Sequence, residues 1–187
     1  MSKPILDATC ASRMMWFDKN NPLCLYVDKR ELDTEVIWKS YDGKSVRYCS
    51  IHPDVVADFT DLPFEDETFY LVVFDPPHLL SLNESSWMCK KYGKIGDDWQ
   101  QVIHDGFNEC WRVLKPNGTL IFKWCELEIP TREVIKAIGR EPLFGHRSGK
   151  RSKTHWMTFF KCADAAADLQ VGDKLMIEGM IKWNLAS

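Results

Sequence analysis

Tyr70 to Leu80 reads YLVVFDPPHLL, and the rest of the chain can be read outward from this stretch. Leu71 to Phe74 is a short apolar run of β-branched and aromatic residues, the pattern of a strand buried on both faces. Strand pairing must stop at Asp75-Pro76-Pro77, because two successive prolines lack the N–H groups that a ladder uses. The stretch therefore carries a carboxylate, Asp75, to the end of a central parallel strand, the place where open α/β sheets hold their ligands. A charge set between a buried strand and two rigid residues destabilises the fold unless something uses it.

At 187 residues the chain suffices for one α/β domain with a full core and is too short for two. No apolar run reaches the ~18 residues of a membrane span, and the opening MSKPILDATC enters a strand without an apolar leader core. A cytoplasmic chain with no membrane association is expected. The seven cysteines are odd in number, scattered and free of any C-x-x-C pair, which supports neither a zinc site nor a disulfide framework. A net charge of −3 gives no general attraction for nucleic acid, so any basic surface has to be local.

Taken in order, Lys3 to Thr9 reads as a first strand ending at Asp7, and Leu23 to Val27 as a second ending in Asp28. Asp28 follows the first strand's end by about twenty residues, the spacing at which nucleotide-binding α/β folds place a ribose-binding acid. Glu31 to Trp38 reads as a short helix, and Val55 to Asp58 as a short strand with its own terminal acid. After His78 comes a long polar loop. Asp97 or Asp98 caps a helix with one apolar face (Val102, Ile103, Phe107, Cys110, Trp111, Leu114), which ends at Pro116-Asn117-Gly118. Thr119 to Trp124 is the next buried strand, Thr131 caps a helix running to Ile138, and Leu143-Phe144 and Thr154 to Phe160 form two last strands. Strands alternating with helices and finishing in a hairpin imply an α/β fold whose sheet is mostly parallel, with one late antiparallel strand.

The D-P-P tripeptide closing a central strand resembles the catalytic motif of S-adenosylmethionine-dependent amino-methyltransferases, usually D/N-P-P and an aromatic residue. WRVLKPNGTLIF resembles a helix–turn–strand phrase common in class I methyltransferases, and VADFTDLPFEDETFYLVVFD resembles their approach to the central strand. The chain is similar to small methyltransferases of phage and bacterial type over about residues 3 to 162. The resemblance implies a Rossmann-like class I fold with a seven-stranded sheet, a methyltransferase domain over 1–162 and an extension of unassigned role over 163–187. It also implies S-adenosyl-L-methionine as cofactor, no metal, and transfer of the methyl group to an exocyclic amine of a nucleic-acid base, of the adenine N6 or cytosine N4 type.

The same resemblance distributes roles. Asp75 and the Pro76 carbonyl accept the two amine hydrogens, Pro77 fixes the loop, and His78 stands where an aromatic ring stacks on the base. Asp7, Ala8, Thr9, Cys10, Ala11 and Arg13 form the loop against the methionine moiety, Arg13 reaching the cofactor's carboxylate; Ala11 stands where a glycine is usual. Asp28 holds the ribose, and Asp58 with Phe59 the adenine. Read from charge alone, apart from the resemblance, the basic connection with Arg147, Lys150, Arg151 and Lys153 is either a solvated turn or, as expected here, a phosphate contact. Lys90, Lys91 and Lys94, interleaved with Trp87, Tyr92 and Trp99, offer a second basic and aromatic surface.

No length remains for a separate recognition domain, which points to loose sequence preference, a structured RNA, a homodimer or a partner protein. Two other readings stay open. One is an enzyme of the same fold acting on a protein amide or a small molecule. The other is a catalytically idle nucleic-acid-binding module, which Ala11 and His78 keep in play.

Overall fold

The computed structural model describes residues 3–149 and 151–163. The elements in chain order are β1 (Ile5–Asp7), β2 (Cys24–Asp28), β3 (Leu32–Lys39), β4 (Val46–Ile51), β5 (Val55–Val56), β6 (Phe69–Phe74), α1 (Trp87–Tyr92), α2 (Trp99–Val113), β7 (Leu114–Cys125), α3 (Thr131–Ile138), β8 (Phe144–Arg147) and β9 (Thr154–Phe160). Seven strands form one sheet in the order β5-β2-β1-β6-β7-β9-β8. All run parallel except β9, which lies antiparallel to both its neighbours. This is the Rossmann-like sheet that the resemblance implies. The strand order reverses between β1 and β6, so the crevice outside their carboxyl ends is the place for a ligand.

β6 is central because Val72 and Phe74 have no exposure and Val73 little, which the apolar run Leu71–Phe74 predicts. The core beside it is aromatic. Phe107 of α2 meets Phe122 of β7 and Phe159 of β9 edge-on at centroid distances of 6.4 and 4.8 Å, and Phe74 meets Phe59 at 5.2 Å. Such edge-to-face pairs add about 0.5–1.5 kcal/mol each beyond area burial. Among the described residues no helix is long and apolar enough to cross a membrane.

Local expectations are corrected at several points. Glu31 to Trp38 forms no helix; from Leu32 on it is β3, paired antiparallel with β4 in a separate two-stranded sheet. Thr34, Val36 and Ile37 are β-branched and suit a strand, and Asp42-Gly43 makes the turn, with Gly43 at φ 69°. The polar loop after His78 contains α1, capped by Ser86, whose side chain accepts from the Cys89 N–H at 3.2 Å. Pro116-Asn117-Gly118 does not end a helix. α2 stops at Val113, where the Lys161 ammonium donates to the Trp111 and Leu114 carbonyls at 3.0 and 2.7 Å, and 116–118 is an irregularity inside β7. Thr131 is the first residue of α3 rather than its cap, and its hydroxyl donates to Glu126 at 3.0 Å. The extension's role cannot be read from the fold, because residues 164–187 lie outside the described part.

Gly106 shows how tightly α2 lies on the sheet. A Cβ there would sit 2.4 Å from Phe59 Cδ2 and 3.0 Å from Phe74 Cζ. Gly106→Ala is expected to destabilise by about 1–3 kcal/mol through overpacking, despite a gain of about 1 kcal/mol in helix propensity. A urea midpoint equal to or above wild type would show that the Phe59 ring yields freely.

Candidate functional site

A cleft of about 420 Å³ opens at the carboxyl ends of β1, β2 and β6. Its lining includes Ala8 to Ser12, Asp28, Phe59 and the whole of Asp75-Pro76-Pro77-His78, with Tyr92 and Gly93 from the end of α1. The turn after β6 is held from several sides. The Asp75 N–H donates to Thr9 Oγ1 at 2.8 Å, the Ile95 N–H to the Leu79 carbonyl at 3.0 Å, and the Leu80 N–H to Glu128. Gly93, at φ 80°, packs against this turn; a Cβ there would lie 3.0 Å from Pro77 Cγ.

Asp75 is half-buried, its side chain 25 % exposed, and its Oδ2 accepts from the Lys123 ammonium at 2.6 Å. Burial pushes the Asp75 carboxyl above the ordinary carboxylate range, and the Lys123 charge and hydrogen bond oppose that rise. Burial lowers the pKa of His78 in turn, which favours the neutral imidazole; its ring lies 6.2 Å from those of both Tyr92 and Trp124.

Asp28 is 6 % exposed and carries four hydrogen bonds. Oδ1 accepts the Arg30 N–H at 2.9 Å and Arg30 Nε at 3.0 Å; Oδ2 accepts the Ala11 N–H at 3.0 Å and Arg30 Nη2 at 3.2 Å. The Ala11 bond holds a strained residue, since Ala11 sits at φ 42° and Arg13 at φ 54°. A positive φ without glycine costs about 1–2 kcal/mol per residue, so the tight turn of a glycine loop is kept here at the expense of stability.

Asp7 has no exposure and does not line the cleft. It accepts Trp16 Nε1–H at 2.7 Å and the Thr9 N–H at 3.2 Å, and among the described residues no cation pairs with it. Burial raises its pKa from 3.8 to about 7 against those two hydrogen bonds, and the charges of Asp75 and Asp28 push the same way.

Other expected residues lie elsewhere. Arg13 turns away from the cleft: its guanidinium donates to the Lys19 and His52 carbonyls at 2.8 and 2.6 Å and lies 3.8 Å over the Tyr26 ring. Asp58 is also outside the lining, held by Thr60 and 3.7 Å from Lys29, whereas Phe59 is inside it. Arg147, Arg151 and Lys153 do not line the cleft; Arg147 lies 3.6 Å from Glu126, and Lys150 falls outside the described residues. The cations that do line it are Lys29, Arg30, Lys91, Lys94 and Lys123. Sequence reading noted Lys91 and Lys94 and missed the other three. Lys123 alone left a signal, as a charge inside the apolar strand TLIFKW. Among the described residues no three ligating side chains gather as a metal site would need.

No protein-family model matches the chain, and no curated protein matches its sequence. Solved structures resemble it weakly. The PH0226 protein of Pyrococcus horikoshii OT3 is 17 % identical at TM-score 0.48, over 84 % of this chain and 81 % of that one. A 1,6-didemethyltoxoflavin-N1-methyltransferase of Burkholderia thailandensis, solved with S-adenosylhomocysteine, is 12 % identical at 0.48, over 84 % and 70 %. The N-methyltransferase NodS of Bradyrhizobium japonicum WM9 is 13 % identical at 0.47, over 84 % and 85 %. Strand order and direction establish the fold without these likenesses.

The Asp7 carboxyl has a pH signature. Its folded pKa is raised, so its contribution is complete below about 4 and is lost as pH climbs through about 7. At 1.36 kcal/mol per unit, a rise of about three units amounts to about 4 kcal/mol. The stability of wild type relative to Asp7→Asn should therefore fall by up to that amount from pH 4 to pH 8 in parallel urea titrations. A difference independent of pH would show that Asp7 is ionised in the fold.

Proposed function

We propose that this protein is an S-adenosyl-L-methionine-dependent methyltransferase that modifies an exocyclic amino group of a nucleic-acid base, adenine N6 or cytosine N4. One observation carries the reading: the Asp75-Pro76-Pro77-His78 turn and the strand-end acid Asp28 line the same cleft at the switch point of the sheet. The lining fits the cofactor. Small side chains at Ala8, Thr9, Ala11 and Ser12 leave the loop's backbone approachable, and Asp28 supplies acceptors for ribose hydroxyls. Asp28 and Asp75 line the cleft as well, each paired with a cation of the chain, Arg30 and Lys123. The ribose can reach Asp28 only if the Arg30 guanidinium swings off it.

When bound, the cofactor supplies a methyl group on a cationic sulfur, so the leaving group needs no metal to activate it. The protein's part is to hold and desolvate the amine. An exocyclic amine is a poor nucleophile because its lone pair is delocalised into the ring. Asp75 Oδ1 and the Pro76 carbonyl accept no hydrogen bond from any described residue, so both can take the amine hydrogens and draw the nitrogen toward tetrahedral geometry. A neutral His78 offers a flat ring beside the base. Lys91 and Lys94 at the cleft give phosphate a nearer contact than the 147–153 connection. The saturation of Asp28 by Arg30 also favours a second reading, an idle nucleic-acid-binding module, which does not bind the cofactor.

Calorimetry with S-adenosylhomocysteine separates the two. Asp28→Ala should weaken binding by about 1.5–3 kcal/mol, as expected for lost charged hydrogen bonds, whereas Arg30→Ala should strengthen it. No heat from wild type or from Arg30→Ala would favour the idle module. For the chemistry, labelled methyl transfer to mixed DNA and RNA, followed by digestion to nucleosides, identifies the product. Asp75→Ala should bind the cofactor normally and lose about 10²–10³-fold in kcat, as other positioned polar groups do, and Asp75→Asn should keep part of the rate. A wild-type protein that binds cofactor and labels no nucleic acid would remove base methylation.

A further inference from the structure

Lys123 is out of character for its strand. Phe122 and Trp124 on either side of it are fully buried, and β7 pairs with β6 on one side and β9 on the other. A lysine on a central strand loses hydration and rotamer freedom, and is retained when something compensates it. Here its ammonium lies 2.6 Å from Asp75 Oδ2, with 26 % of its side chain exposed, and 5.6 Å from the ring of Trp156, its partner across β7 and β9. Trp156 is itself fixed, since Nε1 donates to Ser148 Oγ at 3.0 Å. Asp75 Oδ1 accepts nothing from any described residue.

We infer that Lys123 is the positioning residue of this site: it grips one oxygen of Asp75 and leaves the other turned over to the substrate's amine hydrogen. The inference rests on the methyl-transfer reading of the cleft. The geometry divides the carboxylate into a structural oxygen and a working one. A free carboxylate would rotate about its last bond, and a second acceptor oxygen would compete for the same N–H. The ammonium does a second thing. Burial favours the protonated acid, which offers a donor where the amine needs an acceptor, and Lys123 is the foremost influence opposing that. The ion pair lies in the cleft lining beside Pro76, whose carbonyl likewise accepts from no described residue.

The test compares Lys123→Met, close in volume, with Lys123→Arg, which keeps a cation at the carboxylate. Two readouts are taken on the full chain: the Asp75 carboxyl titration by carbon-13 NMR, assigned with Asp75→Asn, and the pH profile of kcat for methyl transfer. In Lys123→Met the Asp75 titration and the acid limb of kcat should both move up by about one to three pH units. Cofactor KM should stay put, and Lys123→Arg should restore most of the shift. In an Asp75→Asn background, which has no charge to hold, Lys123→Met should have little further effect on kcat. An unmoved titration and acid limb in Lys123→Met, with the protein folded by its thermal melt, would overturn the inference. So would a loss confined to cofactor KM. If wild type transfers no methyl at any pH, the methyl-transfer reading fails by itself. The NMR titration then still decides the grip on Asp75: moved, it supports it, and unmoved, it refutes it.

Discussion

The structure depends on placing three carboxylates side by side where three parallel strands end. Asp7 closes β1, Asp28 closes β2 and Asp75 follows β6, and β1 lies between the other two strands. Burial raises the pKa of Asp7 and of Asp75, and the charges of Asp75 and Asp28 add to the rise at Asp7. Each carboxylate is accommodated by a different device. Asp7, fully buried, is pushed toward neutrality and held by an indole and a backbone N–H. Asp28 is saturated by the guanidinium and backbone of Arg30 and by the Ala11 N–H. Asp75 shares one oxygen with Lys123 and keeps the other open. Asp28 and Asp75 line the cleft together with Lys29, Arg30, Lys91, Lys94 and Lys123, so its carboxylates are outnumbered by cations.

What covers the cleft is as specific as what floors it. α1 rises from the segment after the double proline and is pinned by its own Ser86 and Gly93 caps. The β3–β4 hairpin backs it: Trp87 packs against Ile37, Cys49 and Ile51, and the Arg47 guanidinium lies 4.1 Å over the Trp87 ring and 5.4 Å over that of Trp38. Arg30 ties the two layers together, bonded to Asp28 below and 3.4 Å from the Lys90 carbonyl of α1. Any movement of Arg30 off Asp28 therefore also loosens the cover.

Sequence reading succeeded where a local rule had no competitor. The double proline must end β6, so Asp75 must sit at its tip. The apolar face of α2 followed from helical spacing and TLIFKW read as a buried strand, whereas the helix over 131–138 was expected for Thr131 as its cap, a place that Pro130 holds. It failed where two local rules disagreed. The 31–38 segment has helix-tolerant charges and β-branched residues together, and the Asp42-Gly43 turn with its antiparallel partner decided for a strand. Pro116-Asn117-Gly118 is a stop signal for a helix, yet the Lys161 ammonium ends α2 earlier and the turn becomes part of β7.

The site divides in the same way. The carboxylates at strand ends, the turn residues Pro76 and Pro77, and the small side chains of the 8–12 loop were legible, because each is set by its neighbours in sequence. The partners of those carboxylates were not. Lys123 meets Asp75 across 48 residues only because β6 and β7 pair with Phe74 opposite Phe122, which places Lys123 just beyond the tip of β6. Arg13 and Arg30 show the same limit at shorter range. Each is a cation near the 8–12 loop, and only the packing of β2 and the 52–54 segment turns Arg13 outward and folds Arg30 onto Asp28. The sequence by itself determined where the charges lie along the strands. Only the tertiary structure decided which of them are neutralised, because that depends on strand register and on side chains brought close by elements far apart in the chain.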